Sequence, residues 1–166
     1  NQPEVLLLLE GYNDIDLARI TRSPGDDTPI SVAAIANDLR SMVLIAKGLN
    51  VEVLLATLTP VTDAREQVAP GMQEAVSALN AEIRSISTEL GLGGSIDLHA
   101  ALDGVPGLIS ADGFHPTVAG YQVIAELFFA EIVSRYDITP KPQTTTTKYL
   151  RAPGENKSLL KRISLR

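Results

Sequence analysis

The sequence predicts an α/β protein built on a parallel sheet with helices on both faces. Short, continuously apolar runs end in turn residues, as strands buried inside a parallel sheet do. Between them lie longer segments with apolar residues at helical spacing. Strand then helix recurs three times with connections of tens of residues, which antiparallel hairpins do not need and parallel crossovers do. The chain of 166 residues suits one such domain, and its 45% hydrophobic and 20% charged content is that of a globular core.

The first run, Glu4-Val5-Leu6-Leu7-Leu8-Leu9, reads as a strand buried on both faces and closed by Gly11-Tyr12-Asn13-Asp14. A loop rich in Ser, Pro, Gly and Asp follows over 21–29. Thr28 is placed to cap a helix, with Pro29 at its first position. Ile35, Leu39, Met42, Val43 and Ala46 mark one face of that helix, and Gly48 stops it. A second strand spans 51–57. Met72, Ala75, Val76, Leu79, Ile83, Ile86 and Leu90 form the next stripe, ended by Gly91. A short third strand is expected at 95–98, then a loop, then a last helix opened by Pro116 and running to about Arg135. Beyond Tyr136 the composition shifts to Pro, four consecutive Thr and basic residues, so 1–136 reads as the domain and 137–166 as a disordered linker and tail.

Composition narrows the function. The chain has no Cys and two His, which removes thiolate chemistry and argues against an imidazole-rich metal site. No cofactor is implied, and no glycine-rich phosphate loop follows any strand, which disfavours a nucleotide binder. Residues 1–136 hold 7 basic against 18 acidic groups, and such an acidic body does not suit nucleic acid as a partner. Residues 137–166 reverse the balance, with 7 basic against 2 acidic. No run is long enough for a membrane span, and the compartment is not legible.

Two polar constellations sit where open parallel sheets carry active sites, at the carboxyl ends of strands. In Asp112-x-x-His115-Pro116, an Asp three residues upstream can hold one imidazole nitrogen and leave the other as a base. Gly113 frees the turn and Pro116 stiffens it. In Gly11-x-Asn13-Asp14, an Asn on a tight turn offers a neutral N–H donor at a fixed point, as a developing oxyanion requires. Asp14, Asp97 and His99 read as structural, and Ser110 is notable only for its nearness to Asp112.

A strand followed by Gly11-x-Asn13-Asp14, then Asp112-x-x-His115-Pro116-x-x-x-Gly120-Tyr121, resembles the third and fifth sequence blocks of the SGNH (GDSL) hydrolases. The resemblance runs over residues 4–133 and includes the strand ending Thr57-Leu58-Thr59-Pro60. It implies a flavodoxin-like three-layer α/β/α sandwich with five parallel strands. It also implies a serine-type acyl ester hydrolase acting on a small acyl ester, with His115 as base, Asp112 as its partner, and Asn13 and Gly11 at the oxyanion site. The family's Gly-Asp-Ser block is absent from the sequence, so the nucleophile and the first strands are expected to belong to a missing N-terminal segment. This chain alone is then expected to be inactive. Strand 4–9, lacking its neighbour, is expected to be an exposed edge open to association. The competing expectation is a non-catalytic binding or interaction domain that keeps the fold.

Overall fold

A computed structural model of the chain describes residues 3–136, apart from 22, 24, 25, 27 and 29. The expected linker and tail lie outside the described residues, as does Pro29. The elements run β1 (Val5–Leu8), α1 (Tyr12–Ile20), α2 (Ala33–Gly48), β2 (Glu52–Leu55), α3 (Asp63–Val68), α4 (Met72–Glu89), α5 (Leu98–Leu102) and α6 (Val118–Arg135). β1 and β2 pair in parallel, with Val5 opposite Glu52 and Leu8 opposite Leu55. A single parallel bridge, Ala56 to Ile96, extends the sheet beyond β2.

The pleat of β2 divides the molecule into layers, because successive strand side chains point to opposite faces. Val53 and Leu55 pack into one core with Leu39 and Val43 of α2 and Leu79 and Ile83 of α4. Leu54 and Ala56 pack into a second with Leu98 and Leu102 of α5 and Ile124 and Phe128 of α6. The result is an α/β/α arrangement on parallel strands. α4 is the deepest helix: Met72, Leu79, Ile83 and Ile86 have no exposed surface, each burial contributing roughly 1.5–3 kcal/mol. Asn80 on the same helix is buried too. Its side chain accepts from Leu58 N–H at 2.7 Å and donates to Leu58 C=O at 3.2 Å, fixing the chain as it leaves β2.

Several sequence expectations are corrected. Residues 95–98 are not a strand. Gly93 and Gly94 (φ +79° and +114°) lie just before, and Asp97 caps α5 by accepting from Ala100 N–H, leaving only Ile96 extended. The resemblance implied five strands; the described residues hold two and this bridge. α2 begins at Ala33, not at Thr28, whose N–H and hydroxyl both go to Asp26 Oδ1. Its buried face is Ala36, Leu39, Val43 and Ala46, while Met42 is exposed. The helix does end at Gly48, and the left-handed residue that follows is Asn50, at φ +57°. β1 is not buried on both faces: Leu7 is 48% exposed, since the α5–α6 core centres on β2 and Ile96. α6 starts two residues after Pro116, with the Thr117 hydroxyl accepting from Gly120 N–H.

The segment before α6 folds into a clasp. Ile109 and Pro116 form an antiparallel bridge, Ser110 N–H donates to His115 C=O at 2.8 Å, and Thr117 N–H donates to Leu108 C=O at 2.8 Å. The clasp rests on the first turn of α6 at Gly120, where a Cβ would stand 2.2 Å from the Leu108 carbonyl oxygen. That oxygen is backbone and already paired, so it cannot yield. Gly120→Ala should therefore cost roughly 1–3 kcal/mol and open the clasp. Gly48→Ala, with no atom within 4 Å of the added carbon, should be neutral or stabilising by up to about 1 kcal/mol. Chemical denaturation of the two variants checks this pair of outcomes.

Candidate active site

The site begins where β1 hands over to α1. Gly11 makes the corner at φ +113°, in the region where side chains are strained. A Cβ there would meet Leu79 Cδ2 at 2.8 Å and Ile35 Cγ2 at 3.1 Å, so Gly11 serves both the turn and the packing. The following residues do not form the tight turn expected from the sequence. They are the first turn of α1, with Asn13 exposed in it and Asp14 placed where the helix amide dipoles favour a negative charge. Asn13 is therefore held by a helix rather than by a free loop.

The second half of the site is the tip of the clasp. Asp112 Oδ1 accepts from the Ser110 hydroxyl at 2.7 Å, from Phe114 N–H at 3.1 Å and from His115 N–H at 3.0 Å. Oδ2 lies 2.7 Å from His115 Nδ1. The Ser110 hydroxyl and the Phe114 amide hold the Asp112 carboxyl well below the usual carboxylate range. Burial opposes them, and the side-chain and backbone hydrogen bonds of His115 act in the same lowering direction. An ionised carboxylate accepts only, so Nδ1 carries the hydrogen, and in the neutral ring Nε2 then has the lone pair. The imidazole is 58% exposed, which leaves that lone pair accessible. A ring held in this way can take a proton from a hydroxyl brought to Nε2 and stabilise the resulting charge. Ser110 is not that hydroxyl, because it is committed to Asp112.

Aromatic contacts join the halves. Tyr12, next to Asn13, stacks on Phe114 with ring centroids 5.5 Å apart, and Phe114 lies 4.0 Å from the ring of its neighbour His115. Gly113 C=O accepts from Thr62 N–H at 2.8 Å, tying the clasp to the start of α3. Gly11, Asn13, Asp112 and His115 thus belong to one end of the sheet.

This architecture has known counterparts. Residues 1–123 match the GDSL-like lipase/acylhydrolase family. The chain belongs to that family. Among solved structures, a lipase/acylhydrolase from Enterococcus faecalis is 26% identical, with a TM-score of 0.61, over 82% of this chain and 64% of that one. A putative acylhydrolase from Bacteroides fragilis is 23% identical, with a TM-score of 0.63, over 80% and 62%. An acetylxylan esterase from Geobacillus stearothermophilus is 22% identical, with a TM-score of 0.59, over 81% and 61%. The chain spans less than two thirds of the length of each. Among curated proteins no significant match is found.

Other candidates in this GDSL-like chain resolve as supporting groups. Asp97 caps α5 and also accepts from Thr57 and Arg84; His99 N–H donates to the Thr57 hydroxyl. Among the described residues no three His, Cys, Asp or Glu side chains converge as a metal site would require, and no helix is long and apolar enough to cross a membrane. Sequence reasoning missed Tyr12, Arg65 and Phe114. Phe114 sits inside a motif that specifies only its ends, and Arg65 sits on α3, which buries no residue and so has no apolar stripe.

The Asp112 hydrogen bonds set a test. Its folded pKa is lowered, so the carboxylate favours the folded state above about pH 4 and loses that contribution as pH falls. Ser110→Ala removes the largest cause and should move the Asp112 titration midpoint upward, read from the carboxyl carbon by NMR. An unmoved midpoint would contradict the assignment.

Proposed function

We propose that the complete protein is a serine-type hydrolase of small acyl esters. A serine hydroxyl held near His115 Nε2 loses its proton to that nitrogen as the oxygen attacks the acyl carbon. The Asn13 side-chain amide and backbone N–H groups receive the charge that develops on the carbonyl oxygen. Imidazolium His115, steadied by Asp112, then protonates the departing alcohol, and water repeats the sequence to free the acid. The observation that carries the reading is the 2.7 Å contact between Asp112 and His115 Nδ1 on an exposed imidazole, which leaves Nε2 unengaged by Asp112. Family membership and the acyl-hydrolase and acetylxylan-esterase names of its structural neighbours support the ester as substrate class.

The serine belongs, in this reading, to sequence outside these 166 residues, which contain no Gly-Asp-Ser. The incoming segment adds to the outer edge of β1. β1 pairs with β2 on one side, and Leu7 at its centre is half exposed. Such an edge presents unpaired backbone groups for a further strand.

Residues 1–166 alone should hydrolyse p-nitrophenyl acetate no faster than free imidazole. Supplying a segment that carries Gly-Asp-Ser, fused or in trans, should produce turnover that His115→Ala abolishes and Asn13→Ala lowers by ~10²–10³. Turnover that survives His115→Ala would refute the mechanism.

A further inference from the structure

Arg65 stands at the centre of the contacts that join the two halves of the site. Its guanidinium carbon lies 4.5 Å from the centre of the Phe114 ring, and its Nη2 pairs with Asp16 of α1. Phe114 is therefore contacted by a cation from α3 and by the Tyr12 ring from α1. Asp16 follows Tyr12 by four residues, so both lie on one face of α1, one turn apart. Gly113 completes the fit, since a Cβ there would come 2.6 Å from Arg65 Cβ and 2.8 Å from its backbone nitrogen.

Stability is a poor explanation for this arrangement. The Arg65 side chain is 18% exposed and that of Asp16 24%, and partly buried pairs gain little over apolar side chains of the same volume. Arg65 Nε and Tyr12 Oη are, moreover, buried without a hydrogen-bond partner among the described residues. Each such atom has given up water without gaining a partner, which costs stability. What the cluster does provide is fixed geometry. A planar guanidinium spans the ring beside His115 and the helix that carries Asn13.

We propose that Arg65 is a positioning residue, setting the distance and angle between the Asn13 helix and the His115 clasp. The inference rests on the reading of His115 as base and Asn13 as oxyanion donor, but its structural half can be measured without turnover. In the 166-residue chain, amide exchange at Thr62, Phe114 and His115 and ring contacts between Tyr12 and Phe114 report the clasp; Leu54 and Leu79 report the core.

Arg65→Gln should speed exchange at the three clasp amides by about tenfold or more and weaken the ring contacts, with Leu54 and Leu79 unchanged. Arg65→Lys should fall between. Arg65→Gln with Asp16→Asn should match the single variant, which excludes an unpaired Asp16 as the cause. Clasp exchange at the wild-type rate, or acceleration spread equally to Leu54 and Leu79, would overturn the proposal.

In the protein supplied with its serine segment, Arg65→Gln should lower kcat by about 10- to 100-fold while KM stays within about twofold. An unchanged kcat with a loosened clasp would equally overturn the positioning role. If the wild-type protein shows no His115-dependent turnover, the hydrolase reading fails, and the exchange result alone decides whether Arg65 fixes the clasp.

Discussion

The geometry of the site depends on the Asp112 carboxylate. Four hydrogens converge on it from within five residues: the Ser110 hydroxyl, two backbone N–H groups and the imidazole. Charge-assisted bonds of this kind are shorter and stronger than neutral ones. The same bonds hold the carboxyl ionised and fold the backbone around it. One group thus sets the conformation of the tip, the charge beside the ring and the choice of ring nitrogen that carries the hydrogen.

That local structure would be of little use if it drifted against the rest of the molecule. Three contacts prevent this, each from a different element. Gly120 lets the base of the clasp lie on α6, Thr62 N–H ties Gly113 to α3, and Tyr12 packs against Phe114 from α1. Of these elements, α1 and α6 are fixed in turn by the two cores on opposite faces of β2, through Ile15 and through Ile124 and Phe128. Asn80, buried on α4, anchors Leu58 at the exit of β2, from which the chain runs on to Thr62. The site is exposed and polar, but its supports reach the deepest residues of the fold.

Much of this was legible in the sequence because the signals are local. Asp112 and His115 are three residues apart, and one turn of chain is enough to bring them together. The stripe of α4 from Met72 to Ile86 repeats at helical spacing and is buried throughout. α1 was not legible, because Tyr12–Ile20 interleaves Asn, Asp and Arg with apolar residues that do not share one face, Ile15 being buried and Leu17 exposed, and Asn13 reads as a turn residue in such company. The strand expected at 95–98 failed for the opposite reason: its apolar residues suit a strand, but the Asp97 side chain turns the backbone into α5. Arg65 and Asp16 lie 49 positions apart, and the packing of both α1 and α3 on α4 brings them together.

Asp112 thus fixes the neutral His115 ring with its hydrogen on Nδ1 and its lone pair on Nε2. The 15N NMR shifts of the His115 ring, recorded on the intact chain at a pH where the imidazole is neutral, test it most directly. His99→Gln serves to assign the signals. The expected result is a single tautomer, protonated at Nδ1 and bare at Nε2, that gives way to a mixture in Asp112→Ala. A ring protonated at Nε2, or one averaging between both forms while Asp112 is present, would contradict it.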